Sequence, residues 1–143
     1  RALIEDGVLG SNMVQAGILP FANSPVYAGY CAEKGIRVIS RRELNVNSFN
    51  AAVQDLASRV DAIYFDLDID VMDRAFAPGC PGSRPGGVTP ELVQEIAFFM
   101  GAHQMVKVMD LVELDPERDI QDRTALAAAS FFLSFAAGVQ SGL

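Results

Sequence analysis

The chain has 143 residues, half of them apolar, which is enough for one domain with a buried core. Its formal net charge of −7 excludes a nucleic-acid role, because phosphate-binding surfaces need clustered Lys and Arg. Neither a 20-residue apolar run nor a secretory leader is visible, so a soluble globular protein with no membrane partner is expected.

In chain order, Ala2 to Asp6 has the pattern of a helix end, stopped by Gly7. Met13 to Leu19 forms a short strand candidate. Pro25 opens a helix that Gly35 stops, and the strand Ile-Arg-Val-Ile-Ser follows it. Ser48 is a candidate cap for the helix from Phe49 to Val60. The run Ala62–Ile69 is a strand of the fully buried kind, followed by a loop rich in Gly and Pro from about Ala77 to Val88. Thr89 caps the next helix, which has Pro90 at its first position and Glu91 in its first turn and ends at Gly101. A strand from Val106 to Leu114 and a long helix from Asp122 to Ser141 close the chain. Strands alternating with helices predict an α/β fold, three layers deep, with a parallel sheet between helices. The last helix carries Phe131, Phe132, Leu133 and Phe135 around its circumference, so it is expected to be buried, in the core between layers as the first reading or at a subunit contact as the alternative.

Cys31 and Cys80 have no metal-like spacing and offer no disulfide framework, which suits a reducing cytoplasm. The single histidine, His103, is expected in an exposed loop. The chain opens on Arg1 rather than Met, directly in a helical pattern, as a truncated or processed polypeptide would.

The strongest chemical signal lies in Asp66, Asp68 and Asp70, with Asp73 just beyond. Residues i, i+2 and i+4 of a strand share a face. Three carboxylates there would repel one another and resist desolvation. No Lys or Arg occurs between Val60 and Asp73, so a bound cation is the economical counter-charge. Oxygen ligands of this kind suit Mg²⁺, Mn²⁺ or Ca²⁺. An EF-hand loop fails, since it needs Gly and Glu where Val71 and Ala77 stand. Two alternatives stay open at this point. One is a phosphotransferase of the haloacid dehalogenase type, with Asp66 as nucleophile and Asp68 as acid/base. The other is a non-catalytic module in which the aspartates shape a turn.

The stretch from Asp68 to Gly87 resembles the signature of the ureohydrolase superfamily of arginases, agmatinases and formimidoylglutamases: Asp-x-Asp-x-x-Asp, then Ala-Pro-Gly, then Gly-Gly. The resemblance implies that the chain is the C-terminal part of a single ureohydrolase domain. It implies Asp68 as the ligand bridging two Mn²⁺ ions, hence catalytic, and Asp70 as a ligand of one ion. Asp66 falls where Ser or Thr is common and is not assigned. Arg74 replaces a usual Pro, and the loop from Gly79 to Gly87 departs from the common pattern where the family's substrate enters. Glu113, after the strand Val-Lys-Val-Met-Asp-Leu-Val, matches the carboxylate that holds the substrate's cationic C–N group. Its structural alternatives are a helix cap near Pro116 or a pairing with Arg118 or Arg123. Asp110 and Asp115 are expected to support the site rather than act in it. The segment from Gly17 to Ile36 is similar to formimidoylglutamases in particular.

A manganese-dependent hydrolase of linear amidines or guanidines is therefore implied, with a small-molecule substrate and a homo-oligomeric assembly. In the family, the metal pair activates water against a trigonal carbon. Four further ligands, in motifs containing His, are absent here. The missing N-terminal half becomes a partner on this reading, and the chain alone is expected to be inactive.

Overall fold

The computed structural model describes residues 1–142, which form two compact units, Arg1–Asp61 and the segment from Ala62 onward.

In the first unit, helix α1 (Ala2–Glu5) ends at Asp6 and Gly7. Strand β1 (Val14–Ile18) pairs in parallel with β2 (Arg37–Ser40). The register slips between Ala16 and Ile18, where Gly17 sits at φ 85°, a left-handed conformation glycine adopts without strain. Helix α2 (Pro25–Lys34) joins them; Ser24 Oγ accepts from the Val26 amide, Pro25 holds the first position and Gly35 closes the helix at φ 71°. Helix α3 (Val46–Ala57) is capped by Asn45, not by Ser48. Ser48 stands three residues inside, and the two side chains bond each other's backbone N–H at 3.0 Å. This is a capping box in which Ser takes the inner place usually held by Glu. The helix turns Phe49, Ala52, Val53 and Leu56 inward, beside Ile36, Ile39 and Leu44.

In the second unit β3 (Ile63–Asp68) runs parallel to β4 (Val106–Val112), with Asp66 opposite Asp110 and Asp68 opposite Val112. Expectation and structure differ in three places here. First, β3 is buried on one face only. Ile63, Phe65 and Leu67 point into the core while Tyr64 and Asp66 are exposed, because this unit packs its helices on that one side. Second, β3 ends at Asp68, and Asp70 sits in a 3₁₀ turn, Ile69–Val71. The turn, not strand periodicity, therefore places Asp70. Third, helix α4 (Pro90–Ala102) runs through Gly101.

Gly101 is a packing position. Helix α5 (Arg123–Ser141) crosses α4 so closely that a Cβ on Gly101 would overlap the Phe135 carbonyl, and one on Gly138 the Phe98 carbonyl. Phe131 is fully buried and Phe135 stacks on Phe65 with ring centroids 6.4 Å apart. Phe132 and Leu133, expected in the core, are instead 60% and 66% exposed, because α5 buries only the stripe that meets α4 and β3. By length and composition α5 could also cross a membrane; its two-glycine seam is what a helix packed on a partner helix requires. His103 is half-buried at the end of α4. Its Nδ1 accepts from the Met105 amide at 3.2 Å and its ring meets Phe99 edge-on, so it shapes a turn rather than lying free in a loop.

The start of α5 is held from outside the helix. Asp119 Oδ1 accepts from the Ile120 and Thr124 amides and Oδ2 from Ala125, at 2.8–3.0 Å. Burial alone would raise its pKa, but these N–H groups outweigh burial and hold it below the ordinary carboxylate value. A depressed folded pKa gives stabilisation that is full above the unfolded value near ~4 and fades as pH falls through the folded one. Asp119→Ala is expected to lower the unfolding free energy of the full-length protein by about 1 kcal/mol at neutral pH. Urea melts check this, and the difference between the proteins should shrink toward pH 2.

Candidate metal centre

Asp68 ends β3, half-buried, with Oδ1 accepting from the Asp70 amide at 2.9 Å. That bond makes Asp68 the cap of the 3₁₀ turn and swings Asp70 to follow it. Glu113 is the first residue beyond β4, the parallel neighbour of β3, so both strands deliver carboxylates at their carboxyl ends. Ligands of open α/β sheets gather at such ends. Burial, with the negative charges of Asp70, Glu113 and Asp66 adding to it, pushes Asp68 up to about 6 against the pull of the Asp70 amide. Asp68, Asp70 and Glu113 thus stand at or just beyond the carboxyl ends of two neighbouring strands, with Asp66 two residues before Asp68.

No Lys or Arg forms an ion pair with any of these four carboxylates among the described residues. Oxygen donors left without a cation, one of them desolvated, fit a hard divalent ion such as Mn²⁺. Among the described residues no three His, Cys, Asp or Glu side chains are arranged to hold one ion.

The structural alternatives for Glu113 are filled by a neighbour. Asp115 caps the 3₁₀ turn at Pro116–Arg118, accepting from the Glu117 amide at 3.1 Å, and it pairs with Arg118 at 3.0 Å. Arg123 donates instead to the Ala75 carbonyl at 2.7 Å. Glu113 is left exposed with φ at 68°, a left-handed conformation that disfavours a side chain by roughly 1–2 kcal/mol.

Asp73 belongs to the scaffold. Its Oδ1 accepts from the Ala75 amide and its Oδ2 from Gly86, at 2.8 and 2.7 Å, and short bridges tie Asp73 to Arg84 and Met72 to Val88. Arg84 donates to the carbonyls of Pro81, Gly82 and Ser83, and fully buried Ser83 to those of Ala77 and Cys80. The loop of unusual sequence is thus internally bonded. It also meets the site: a Cβ on Gly82 would fall 2.9 Å from the Asp70 side chain. Sequence reasoning missed this role of Gly82, since one glycine in a loop with many gives no signal of its own. It also missed Tyr64, which donates a hydrogen bond to Asp110 Oδ2. Asp66, the nucleophile of the phosphotransferase alternative, lies directly opposite Asp110 in the strand pairing.

The chain matches the arginase family over residues 1–138. Formimidoylglutamase of Halalkalibacterium halodurans is 38% identical over 143 residues, covering 96% of this chain and 45% of that protein. Guanidinopropionase of Pseudomonas aeruginosa is 34% identical, over 91% of this chain and 42% of its own length. Among solved structures, formimidoylglutamase of Bacillus subtilis superposes with a TM-score of 0.94 at 27% identity, over 99% of this chain and 46% of that one. Trypanosoma cruzi formiminoglutamase, solved with two Mn²⁺, shares the fold at a TM-score of 0.84 and 21% identity, over 96% of this chain and 46% of that one. The chain spans a little under half the length of the relatives it matches. With sequence similarity running through both compact units and a fold that is arginase-like throughout, the chain belongs to the arginase family.

Proposed function

We propose that the protein to which this chain contributes is a manganese-dependent hydrolase of linear amidine C–N bonds, with formimidoylglutamate as substrate. The observation that carries the reading is the placement of Asp68, Asp70 and Glu113 at the carboxyl ends of two paired strands, with no Lys or Arg ion-paired to any of them among the described residues. The 38% identity to a formimidoylglutamase favours that substrate over a guanidino acid.

On this reading Asp68 and Asp70 would hold manganese, with residues outside this chain completing the set. Bound manganese would lower the pKa of a water and polarise the substrate carbon. The chain's own work is positional. Glu113 accepts N–H groups of the planar amidinium, a charge-assisted contact that fixes its plane. The Asp70 amide orients Asp68, and the bonded loop from Asp73 to Val88 supports Asp70 from the side of Gly82. Free Cys31 and Cys80 suit a cytoplasmic protein, and the exposed apolar flank of α5 suits assembly into an oligomer.

Formamide release from formimidoylglutamate and urea release from guanidino acids, measured on the full-length protein before and after manganese removal, test the proposal. Turnover that persists without metal would sink it. Gly82→Ala gives a second check. The added methyl displaces Asp70, so manganese affinity is expected to drop roughly tenfold, the scale of a disturbed ligand support. An unchanged titration would show that Asp70 is not a ligand.

A further inference from the structure

Arg74 and Arg84 lie side by side where a short bridge pairs Asp73 with Arg84, and the Arg74 amide donates to the Arg84 carbonyl at 3.2 Å. Both guanidinium groups then reach one oxygen. The Ser83 carbonyl accepts from Arg74 Nη1 at 3.4 Å and from Arg84 Nη1 at 3.0 Å. Arg84 Nη1 donates to the Pro81 and Gly82 carbonyls as well, so one nitrogen fixes the side chain. The Nε and Nη2 donors of both arginines have no partner among the described residues. Guanidinium groups keep their charge in proteins, and like charges gathered on one carbonyl repel. No carboxylate forms an ion pair with either arginine among the described residues. Asp73, next to Arg74 in the chain, gives its two oxygens to the Ala75 and Gly86 amides. The chain has 18 acidic residues against 11 Lys and Arg, so two converging cations left without an acid are not part of a general basic surface. An anion from outside the chain is the economical counter-charge.

The arginines border the candidate metal centre. Gly82, one residue before the shared carbonyl, packs against Asp70 so closely that a Cβ would fall 2.9 Å from its side chain. Ser83 is fully buried and bonded to the Ala77 and Cys80 carbonyls, which gives the pair a fixed base. We propose that Arg74 and Arg84 form a subsite for a carboxylate of the substrate and select acidic amidines over amidines that carry no carboxylate. The planar guanidinium fork matches a carboxylate, and in a formimidoyl amino acid that group lies a few bonds from the reacting carbon. Glu113 then holds the cationic end and the arginines the anionic end, which fixes the direction in which the substrate lies. The inference rests on the function proposed above. It concerns two residues that stand outside the family signature.

The test compares formimidoylglutamate with its dimethyl ester, which keeps the amidine and removes both negative charges, on the manganese-loaded full-length protein. The wild type should favour the acid. Arg84→Gln and Arg74→Gln should each lower the acid-to-ester ratio of kcat/KM about tenfold, the scale of a hydrogen bond to a charged group, and should do so through the KM of the acid. Arg84→Lys keeps the charge but not the fork, so its ratio should fall between those of the wild type and Arg84→Gln. Glutamate titrated by calorimetry, with no turnover involved, should lose affinity in parallel with the acid. Losses shared equally by acid and ester would show that the arginines only brace the loop, and the inference falls. An unchanged ratio sinks it too, while amidine hydrolysis in either case leaves the proposed function standing. A wild type that hydrolyses neither compound overturns the functional reading and this inference with it.

Discussion

Asp68→Ala in the full-length protein is expected to abolish hydrolysis and manganese binding together, with activity down by roughly a thousandfold or more. That is the rate equivalent of about 4 kcal/mol, the scale of transition-state stabilisation a metal centre supplies. The expectation follows from where Asp68 stands. It ends β3, and its Oδ1 is fixed by the Asp70 amide. Burial raises its pKa to about 6, so its charge is costly in the folded protein and a bound cation would offset that cost. Removing it deletes a ligand and also the cap of the 3₁₀ turn that carries Asp70. Asp66→Ser is the control. Asp66 takes no part in the turn that Asp68 caps, so activity should remain within about tenfold of wild type on the hydrogen-bond scale. Metal analysis and turnover on the same samples decide the matter. A lethal Asp66→Ser beside a nearly harmless Asp68→Ala would return the site to phosphotransferase chemistry.

The outline of both units could be read along the chain because it is written locally. Pro25 and Gly35 bracket α2, Thr89 and Pro90 open α4, and the apolar runs of β3 and β4 announce parallel strands. Asp66, Asp68 and Asp70 stand out because carboxylates along an apolar strand need a counter-charge, whereas Glu113 is marked only by the family resemblance. What stayed hidden depends on partners distant in sequence. Gly101 looks like a helix stop, yet it serves as a crossing point because Phe135 approaches it from α5. Ser48 looks like a cap until Asn45 is seen to hold that place. The exposure of Phe132 and Leu133 cannot be read from an apolar helix, because periodicity reports the faces a helix offers and not which are taken up. Tyr64 and Asp110 lie 46 residues apart and meet only through strand pairing.

Glu113 carries the second large effect. It follows β4 at φ 68°, where glycine would sit without strain, and it holds no cap or ion pair among the described residues. A side chain kept at a strained position without a structural bond points to a task elsewhere, and strain of this kind gathers at functional sites. It follows β4 as Asp68 ends β3, so the two stand at the same end of neighbouring strands. Glu113→Gln keeps shape and backbone while removing one charged acceptor. The expected loss is about 1.5–3 kcal/mol, the range for a hydrogen bond to a charged group, or roughly a ten- to hundredfold rise in KM. Manganese content should not change. Glu113→Gly separates the two features of the position: it relieves the backbone by about 1 kcal/mol yet should lose as much substrate affinity as the glutamine variant, or more. Melting curves, metal analysis and KM on the three proteins settle the role. Manganese lost along with activity in Glu113→Gln would make Glu113 a ligand or a support of the centre, and the amidinium contact assigned to it would be wrong.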